Sequence, residues 1–236
     1  MAARILCHDG IVEELPVTFQ VGLIGSDGWV LASDTLETLD TGAQILASAT
    51  DKLYEDDKVV VAFSGDDWSR KARDRVIEKI RDSSEAPRKV LTDIGNAVWQ
   101  EIPEQVKPRA RRTLIVAFTD NPKRFYFLEL GKGMLLEKRD FVTAGDDQNP
   151  AHFFIQRYYV RGAATENTID QLKLLAAHTI RQASRHNSRV QGLDMIVCRV
   201  KDDTSQCERV SDSEIKRLSA ESEAIDQQLI NLLGVS

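Results

Sequence analysis

Histidine and cysteine are the commonest protein ligands of transition metals, and cysteine is also a strong nucleophile, so their spacing is considered first. Among its 236 residues the chain has three cysteines: Cys7, Cys198 and Cys207. It has four histidines: His8, His152, His178 and His186. The cysteines are odd in number and form no Cys-x-x-Cys pair, and no histidine has the spacing of a metal ligand. We therefore predict reduced thiols, no metal site and no disulfide framework.

Basic residues or glycines could instead bind phosphate groups. The run Lys107–Arg112 is of the type that contacts nucleic acids, but the whole chain has a net charge of −6. An isolated basic run in an acidic chain is typical of a solvated loop, here one that precedes a strand. Residues 25–28 have the composition of a hairpin turn, and the sequence contains no glycine-rich phosphate loop. The sequence thus predicts neither a cofactor nor a nucleic-acid partner.

Four residues in the first third of the chain offer a hydroxyl, a carboxylate, an ammonium group and a flexible backbone position. Each has an ordinary structural interpretation. Thr18 is β-branched and suits the start of a strand. Asp34 and Lys52 suit an exposed ion pair, and Gly65 suits a tight turn at the end of a strand. Residue type alone leaves these interpretations open.

Apolar patterning divides the chain into runs of strands and runs of helices. Two short runs of β-forming residues flank Asp27-Gly28, which predicts a hairpin, and a second hairpin is predicted around residues 55–58. Residues 66–102 change to helical spacing and are divided into two helices at Pro87. The later predicted elements are strands at 113–118, 125–128, 134–137, 140–143, 193–200 and 207–210, and helices at 150–160, 168–185 and 212–231. Such segregated runs are typical of an α+β layered domain.

Composition favours one folded domain without a membrane-spanning segment. Hydrophobic residues make up 42% and charged residues 29% of the chain, which is enough apolar content for a sizeable core. The longest apolar runs, such as Val59–Phe63, are far shorter than the roughly 20 residues that a membrane helix requires. Residues 1–16 include several charged side chains where a signal peptide would have an unbroken apolar stretch. We therefore predict a cytoplasmic protein with no membrane partner.

The segment from Thr18 to Asp34 resembles the opening of a mature proteasome β subunit. That family begins with a threonine, has Val-Gly shortly afterwards, and has Asp-Gly before a Val-Leu-Ala-x-Asp segment. All of these are present here without a gap. Asp51–Leu53 resembles the family's lysine-bearing segment, and Phe63–Asp66 resembles its glycine-containing strand end. The order of predicted elements is also similar over essentially the whole chain.

The resemblance implies a fold, a domain division and an assembly. The fold is a four-layer αββα sandwich of the N-terminal-nucleophile hydrolase type. Residues 1–17 would be a leader or propeptide, and residues 18–236 would be a single proteasome β-like domain. Copies of the chain would form a homo-oligomeric ring, with an ATPase regulator and unfolded polypeptide substrates as further partners.

The resemblance also implies roles for the four residues singled out above. Thr18 would be the nucleophile, activated by its own α-amine once that amine is the chain terminus. The Lys52 ammonium would hold the amine unprotonated by like-charge repulsion, and Asp34 would orient Lys52. The backbone N–H of Gly65 would face the developing oxyanion. The implied activity is that of a self-processing threonine peptidase.

Departures from the family's pattern favour an alternative function. Val17 stands where active members have a glycine before the cleavage point, and Asp146 stands where they have a serine. The segment that supports the threonine reads His186 at its carboxylate position and Arg189 at its serine position. The loss of supporting groups leaves reactive residues poorly held. The alternative is therefore a non-catalytic scaffold or ring subunit of the same fold.

Overall fold

The computed structural model describes residues 18–40, 45–49, 51–82, 85–109, 111–119, 124–131, 134–145, 149–159, 166–201 and 204–233. The predicted leader and Asp146 lie outside these residues. The strands are β1 (Phe19–Ile24), β2 (Gly28–Ser33), β3 (Leu36–Asp40), β4 (Ile45–Ala49), β5 (Leu53–Glu55), β6 (Val59–Ser64), β7 (Thr113–Phe118), β8 (Phe125–Glu129), β9 (Met134–Lys138), β10 (Phe141–Gly145), β11 (Asp194–Lys201) and β12 (Thr204–Arg209). The helices are α1 (Asp67–Asp82), α2 (Pro87–Glu101), α3 (Ala151–Tyr158), α4 (Ile169–His186) and α5 (Asp212–Leu233).

Ten of these strands form two antiparallel five-stranded sheets. The first sheet has the strand order β10-β1-β2-β11-β12, and the second has the order β5-β6-β7-β8-β9. Strands β3 and β4 pair only with each other among the described residues. Two antiparallel sheets with separate groups of helices confirm the predicted α+β class.

Three hydrophobic cores separate the layers: two lie between helices and a sheet, and one lies between the two sheets. One core packs α3, α4 and α5 against the first sheet, and includes Phe19, Ile180 and Leu218. A second core joins the two sheets face to face and includes Trp29 and Ile115. The third packs α1 and α2 against the second sheet. The two sheets are therefore stacked in the middle, with helices covering each outer face.

Strand β1 has both of its faces buried, because it lies between the helices and the second sheet. Phe19, Val21 and Leu23 alternate along the strand and point into the helix-facing core. Gly22 lies on the opposite face, where an added Cβ would lie 2.9 Å from the Phe125 ring. A larger residue at this position would push the two sheets apart.

The hairpin of β3 and β4 was not predicted from the sequence. Each of these strands has five residues, and together they contain only two β-branched residues and no aromatic residue. Strand propensity is therefore weak in this segment.

The helix boundaries differ from the predicted ones by one or two residues, which is the usual spread at helix ends.

The basic run Lys107–Arg112 is not a solvated loop throughout, and this prediction is wrong for its last residue. Lys107–Arg109 forms a short 3-10 turn, and Arg112 is only 1% exposed. The Arg112 guanidinium donates hydrogen bonds to both carboxylate oxygens of Asp66, at distances of 2.5–3.0 Å. A partly buried acidic partner, which sequence charge alone does not reveal, accounts for its position.

Within the ranges that the structure describes, no helix is both long enough and apolar enough to cross a membrane. The same part of the chain has no group of three or more histidine, cysteine, aspartate or glutamate side chains arranged to hold a metal ion.

Candidate active site

Lys52 lies at the centre of a buried polar cluster at one end of the two stacked sheets. Its Nζ donates hydrogen bonds to Thr18 Oγ1 at 3.1 Å, to Asp34 Oδ2 at 2.8 Å and to the Leu36 carbonyl at 2.6 Å. These three contacts use all three N–H donors of the ammonium group. The structure therefore brings together three of the four site residues predicted from the sequence.

Strand pairing explains why Thr18 and Asp34 meet. Thr18 immediately precedes β1 and Asp34 immediately follows β2, and these two strands are antiparallel neighbours. The Phe19 N–H donates to Asp34 Oδ1 at 3.0 Å, while the Asp34 N–H donates to the Phe19 carbonyl at 3.1 Å. The Asp34 carboxylate is thus held by the backbone on one oxygen and by Lys52 on the other.

Lys52 reaches the same point from the second sheet. It immediately precedes β5, and the Phe63 N–H of β6 donates to the Lys52 carbonyl at 3.3 Å. Gly65 follows β6 and lies two residues beyond Phe63. Thr18 and Lys52 therefore adjoin strands of different sheets, and the stacking of the two sheets creates the cluster.

Gly65 has a backbone conformation that favours glycine. Its φ is +122°, and an added Cβ would lie 2.5 Å from Ser69 Oγ and 2.9 Å from the Arg111 carbonyl. The predicted glycine turn is therefore correct, and the strand ends against the first turn of α1. The role of its N–H as an oxyanion donor stays a prediction.

Burial controls the electrostatics of the cluster. Asp34 is fully buried and Lys52 is 5% exposed. Burial raises the pKa of Asp34 to about 6, against the opposing effect of the Lys52 charge and its hydrogen bond. The expectation of an exposed ion pair is therefore wrong, because both groups lie between packed sheets where water cannot screen them.

Strand β10 pairs with β1 on the side opposite to β2, next to Thr18. Gly145 pairs with Phe19, has a φ of +109°, and an added Cβ would lie 1.7 Å from the Thr18 carbonyl oxygen. The chain therefore requires glycine here for the Thr18 backbone to lie where it does.

The predicted support segment, residues 185–189, spans the end of α4 and the start of the loop that leads to β11. Arg185 pairs with Asp226 of α5 at 2.8 Å, and the side chain of His186 is exposed at the end of α4. The Asn187 side chain accepts a hydrogen bond from the Arg189 N–H at 3.1 Å. The segment reaches the site through Gln191, whose carbonyl accepts the N–H groups of Thr35 and Leu36.

Gln20 belongs to the site and was missed by the sequence reasoning. Its Nε2 donates to the Phe63 carbonyl at 2.7 Å, which joins β1 to β6, and it also donates to Ser33 Oγ at 3.4 Å. Ser33 Oγ in turn donates to the Asp34 carbonyl at 3.0 Å. A polar residue in a strand that is otherwise buried was the available signal.

Comparison with known proteins identifies similar folds. The sequence matches no protein-family model, and no curated protein is significantly similar to it. Anbu (ancestral beta-subunit) from Yersinia bercovieri superimposes with a TM-score of 0.70 at 14% identity, over 92% of this chain and 97% of that one. The helical assembly of the Anbu complex from Pseudomonas aeruginosa gives 0.70 at 16% identity, over 92% and 95%. The Gly-1 mutant of Anbu from Hyphomicrobium sp. strain MC1 gives 0.65 at 16% identity, over 90% and 96%.

These similarities correct the family expected from the sequence. The similar structures are Anbu proteins, which are proteasome-like but distinct from the proteasome β-type subunits that the opening segment resembles. The TM-scores of 0.65–0.70 establish a shared fold, and identities of 14–16% show no more than that fold. The opening segment alone could not separate two related groups of proteins.

Proposed function

We propose that this chain is an Anbu-like, proteasome-related subunit of the N-terminal-nucleophile type, and that it hydrolyses peptide bonds with Thr18 as the nucleophile. One observation carries the proposal: a buried lysine whose ammonium group contacts both the Thr18 hydroxyl, at 3.1 Å, and an aspartate, at 2.8 Å. A threonine in a plain structural role at the start of a strand has no need of a buried charge at its hydroxyl, because burying that charge is costly.

The proposed chemistry is acyl transfer through a covalent ester. The Thr18 α-amine takes the hydroxyl proton as Oγ1 attacks the substrate carbonyl, and the same proton is then given to the leaving amine. Water hydrolyses the ester and regenerates the hydroxyl. Lys52 keeps the neighbouring amine neutral and stabilises developing negative charge on Oγ1, while Asp34 holds Lys52 in place. The Gly65 N–H is the proposed donor to the oxyanion.

This chemistry requires that the bond between Val17 and Thr18 be broken first. Before that step the Thr18 nitrogen is an amide and cannot accept a proton. We propose that Thr18 Oγ1 attacks the Val17 carbonyl and that the acyl group thereby moves from the Thr18 nitrogen to Oγ1. One water molecule then hydrolyses the resulting ester. Residues 1–17 would thereby leave as a propeptide, and residues 18–236 would remain as a single domain.

Self-association is the second part of the proposal. The similar Pseudomonas aeruginosa structure is a helical assembly of the Anbu complex, which supports an assembly of copies of this chain, in a helix or a ring. An enclosed assembly would admit unfolded polypeptides and would require an ATPase to supply them.

The two free thiols, Cys198 and Cys207, are consistent with a reducing compartment such as the cytoplasm.

One specific observation favours a non-catalytic subunit as the second candidate. His186 and Arg189 stand at the sequence positions of the expected carboxylate and serine, and Arg185 of the same segment pairs with Asp226. In that case the Lys52 cluster is a structural ion pair that joins the two sheets. The chain would then assemble without cleaving itself or any peptide.

Intact-mass measurement on the purified full chain tests the proposal directly. The wild type is expected to have the mass of residues 18–236 and to hydrolyse a fluorogenic peptide. Thr18→Val, which has nearly the same shape but no hydroxyl, is expected to keep residues 1–17 and to lose activity. Thr18→Ser is the matched control, because it keeps the hydroxyl and should retain both reactions at a lower rate.

Two results would reject the threonine mechanism. One is a wild-type chain that keeps residues 1–17 and still hydrolyses peptides, because a blocked amine cannot act as the base. The other is peptide hydrolysis at the wild-type rate by Thr18→Val. A chain that is uncut, inactive and assembled would establish the non-catalytic alternative.

A further inference from the structure

Two cysteines stand directly opposite each other at the edge of the first sheet. Strands β11 and β12 are antiparallel neighbours, and Cys198 pairs with Cys207 in their register. Strand β12 is the last strand of the sheet. Both thiols are free, and neither takes part in the candidate active site.

The type of pair can be worked out from one backbone hydrogen bond. The Val210 N–H donates to the Met195 carbonyl at 2.8 Å. This bond joins the residue after Arg209 to the residue before Ile196, so Ile196 and Arg209 form a non-hydrogen-bonded pair. Pair types alternate along an antiparallel ladder, and Cys198 and Cys207 lie two positions further on. They are therefore also a non-hydrogen-bonded pair, in which opposite Cα atoms are about 4.5 Å apart and the side chains are closest.

This geometry fits the requirements of a disulfide. A disulfide joins Cα atoms that are about 4.4–6.8 Å apart, and a non-hydrogen-bonded pair lies within that range without movement of the backbone. The two thiols already share a hydrogen bond, which lowers the pKa of Cys198 and raises the pKa of Cys207. Thiolate is the form that attacks a sulfur atom, and the first of the two thiols to ionise is stabilised by the hydrogen bond that the other donates.

The two sulfur atoms differ in their access to solvent. Cys198 is fully buried in the core between the sheets, whereas Cys207 is partly exposed on the outermost strand. A small oxidant can therefore reach one member of the pair, and the other member can reach only its partner. Oxidation therefore begins at the partly exposed Cys207, and attack by Cys198 on the oxidised sulfur forms the intrachain bond.

We propose that Cys198 and Cys207 form a site of reversible oxidation, at which a hydroperoxide converts the two thiols into a cross-strand disulfide. The two thiols lose two electrons and two protons, and hydrogen peroxide accepts them and becomes two molecules of water. A small thiol reductant reverses the reaction by exchange. The site requires no catalytic activity of Thr18 and is independent of the proposed function.

The experiment uses the full chain with Cys7→Ser, which leaves only the two cysteines of interest. The folded protein is treated with equimolar hydrogen peroxide, its remaining thiols are blocked, and it is digested with trypsin without reduction. We expect loss of both thiols, loss of the mass of two hydrogen atoms, and a linked pair of peptides, residues 190–199 and 202–209. Dithiothreitol should restore both thiols and separate the two peptides.

Cys207→Ser in the same background is the matched control, and it should form no linked peptide within one chain. The proposal is overturned if the thiols of the folded protein resist peroxide that oxidises them in the unfolded chain. It is also overturned if oxidation yields sulfinic acid or a disulfide between two chains while the peptides 190–199 and 202–209 stay separate. Because the wild-type residues at both positions are kept in the main experiment, a folding defect cannot produce either result.

Discussion

At the scale of single residues, Lys52 and Asp34 act as one buried ion pair. Lys52 is 5% exposed and Asp34 is fully buried, so removal of either partner leaves the other charge without compensation. A test of the site lysine must therefore separate the loss of chemistry from the loss of stability. Substitution of Lys52 and Asp34 together provides that separation.

Lys52→Met is expected to abolish peptide hydrolysis and to lower the free energy of unfolding at neutral pH by about 3–5 kcal/mol, because it leaves Asp34 unpaired. Lys52→Met combined with Asp34→Asn should recover most of that stability but no activity. Lys52→Arg should also be inactive, because the planar guanidinium cannot replace the compact ammonium group. Urea unfolding and peptide hydrolysis measure the two effects. Wild-type turnover by Lys52→Met would refute the assigned role.

The buried carboxyl group also predicts how stability depends on pH. The pKa of Asp34 is raised from 3.8 to about 6 in the folded protein. Between these values the folded protein holds a proton that the unfolded chain releases, so the contribution of Asp34 to stability is present at low pH and is lost as the pH rises through about 6. Above that pH the contribution no longer changes.

We therefore expect the free energy of unfolding of the wild type, relative to Asp34→Asn, to fall by about 2 kcal/mol between about pH 4.5 and about pH 7.5. The comparison with Asp34→Asn cancels the titration of all other groups. Urea unfolding of both proteins at the two pH values gives the difference. A difference that stays constant, or that grows with pH, would contradict a raised pKa at Asp34.

At the scale of secondary-structure elements, the junction between β6 and α1 determines where Gly65 lies. The Arg112 guanidinium binds both oxygens of Asp66, and it also donates to the carbonyls of Val106 and Lys107, each at 3.1 Å. Ser69 Oγ donates to the Ser64 carbonyl at 2.8 Å. These contacts fix the strand end before Gly65 and the first turn of the helix after it.

Arg112→Ala is expected to lower the free energy of unfolding by about 1–3 kcal/mol, because it removes the buried guanidinium that binds both oxygens of the partly exposed Asp66. Arg112→Lys should recover little of this loss, because a single ammonium cannot make the paired contacts of the guanidinium. Arg75→Ala is the matched control, since its pair with Glu101 is largely exposed and should change stability by less than about 1 kcal/mol. Equal losses for Arg112→Ala and Arg75→Ala would contradict this account.

At the scale of the whole molecule, the outer helical layers determine what other copies can contact. Helices α1 and α2 cover the second sheet with their apolar faces, and their outer faces carry exposed charges such as Lys71, Glu78 and Arg88. On the opposite side Phe153 of α3 is 73% exposed. Both outer surfaces therefore remain available after the domain has folded.

We expect a particle much larger than the 26.5 kDa of one chain. Light scattering at micromolar concentration measures its mass, and the Thr18→Val protein provides the control, because assembly should not depend on the nucleophile. A monomer under all conditions would contradict the proposed assembly. An assembled but inactive Thr18→Val protein would show that assembly and chemistry are separable.

The sequence by itself determined those elements that have local signals, and it placed Thr18 and Asp34 at the two ends of one hairpin. The turn at Asp27-Gly28 and the change to helical spacing after residue 66 are local signals, and both predicted the elements that form there. The order of side chains from Thr18 to Asp34 placed a hydroxyl and a carboxylate at the ends of one hairpin. A hairpin joins such ends without help from the rest of the chain.

Only the tertiary structure decided what surrounds these residues. Lys52 belongs to the second sheet, and its contacts with Thr18 and Asp34 exist because two sheets stack face to face. The burial of Arg112 and the role of Gln20 likewise depend on partners that are distant in the sequence. Burial and charge pairing are properties of packed surfaces, and a residue's local sequence does not specify which surface will cover it. For that physical reason the sequence suggested Thr18, Asp34 and Lys52 one by one, and the packing of the two sheets brought the three together.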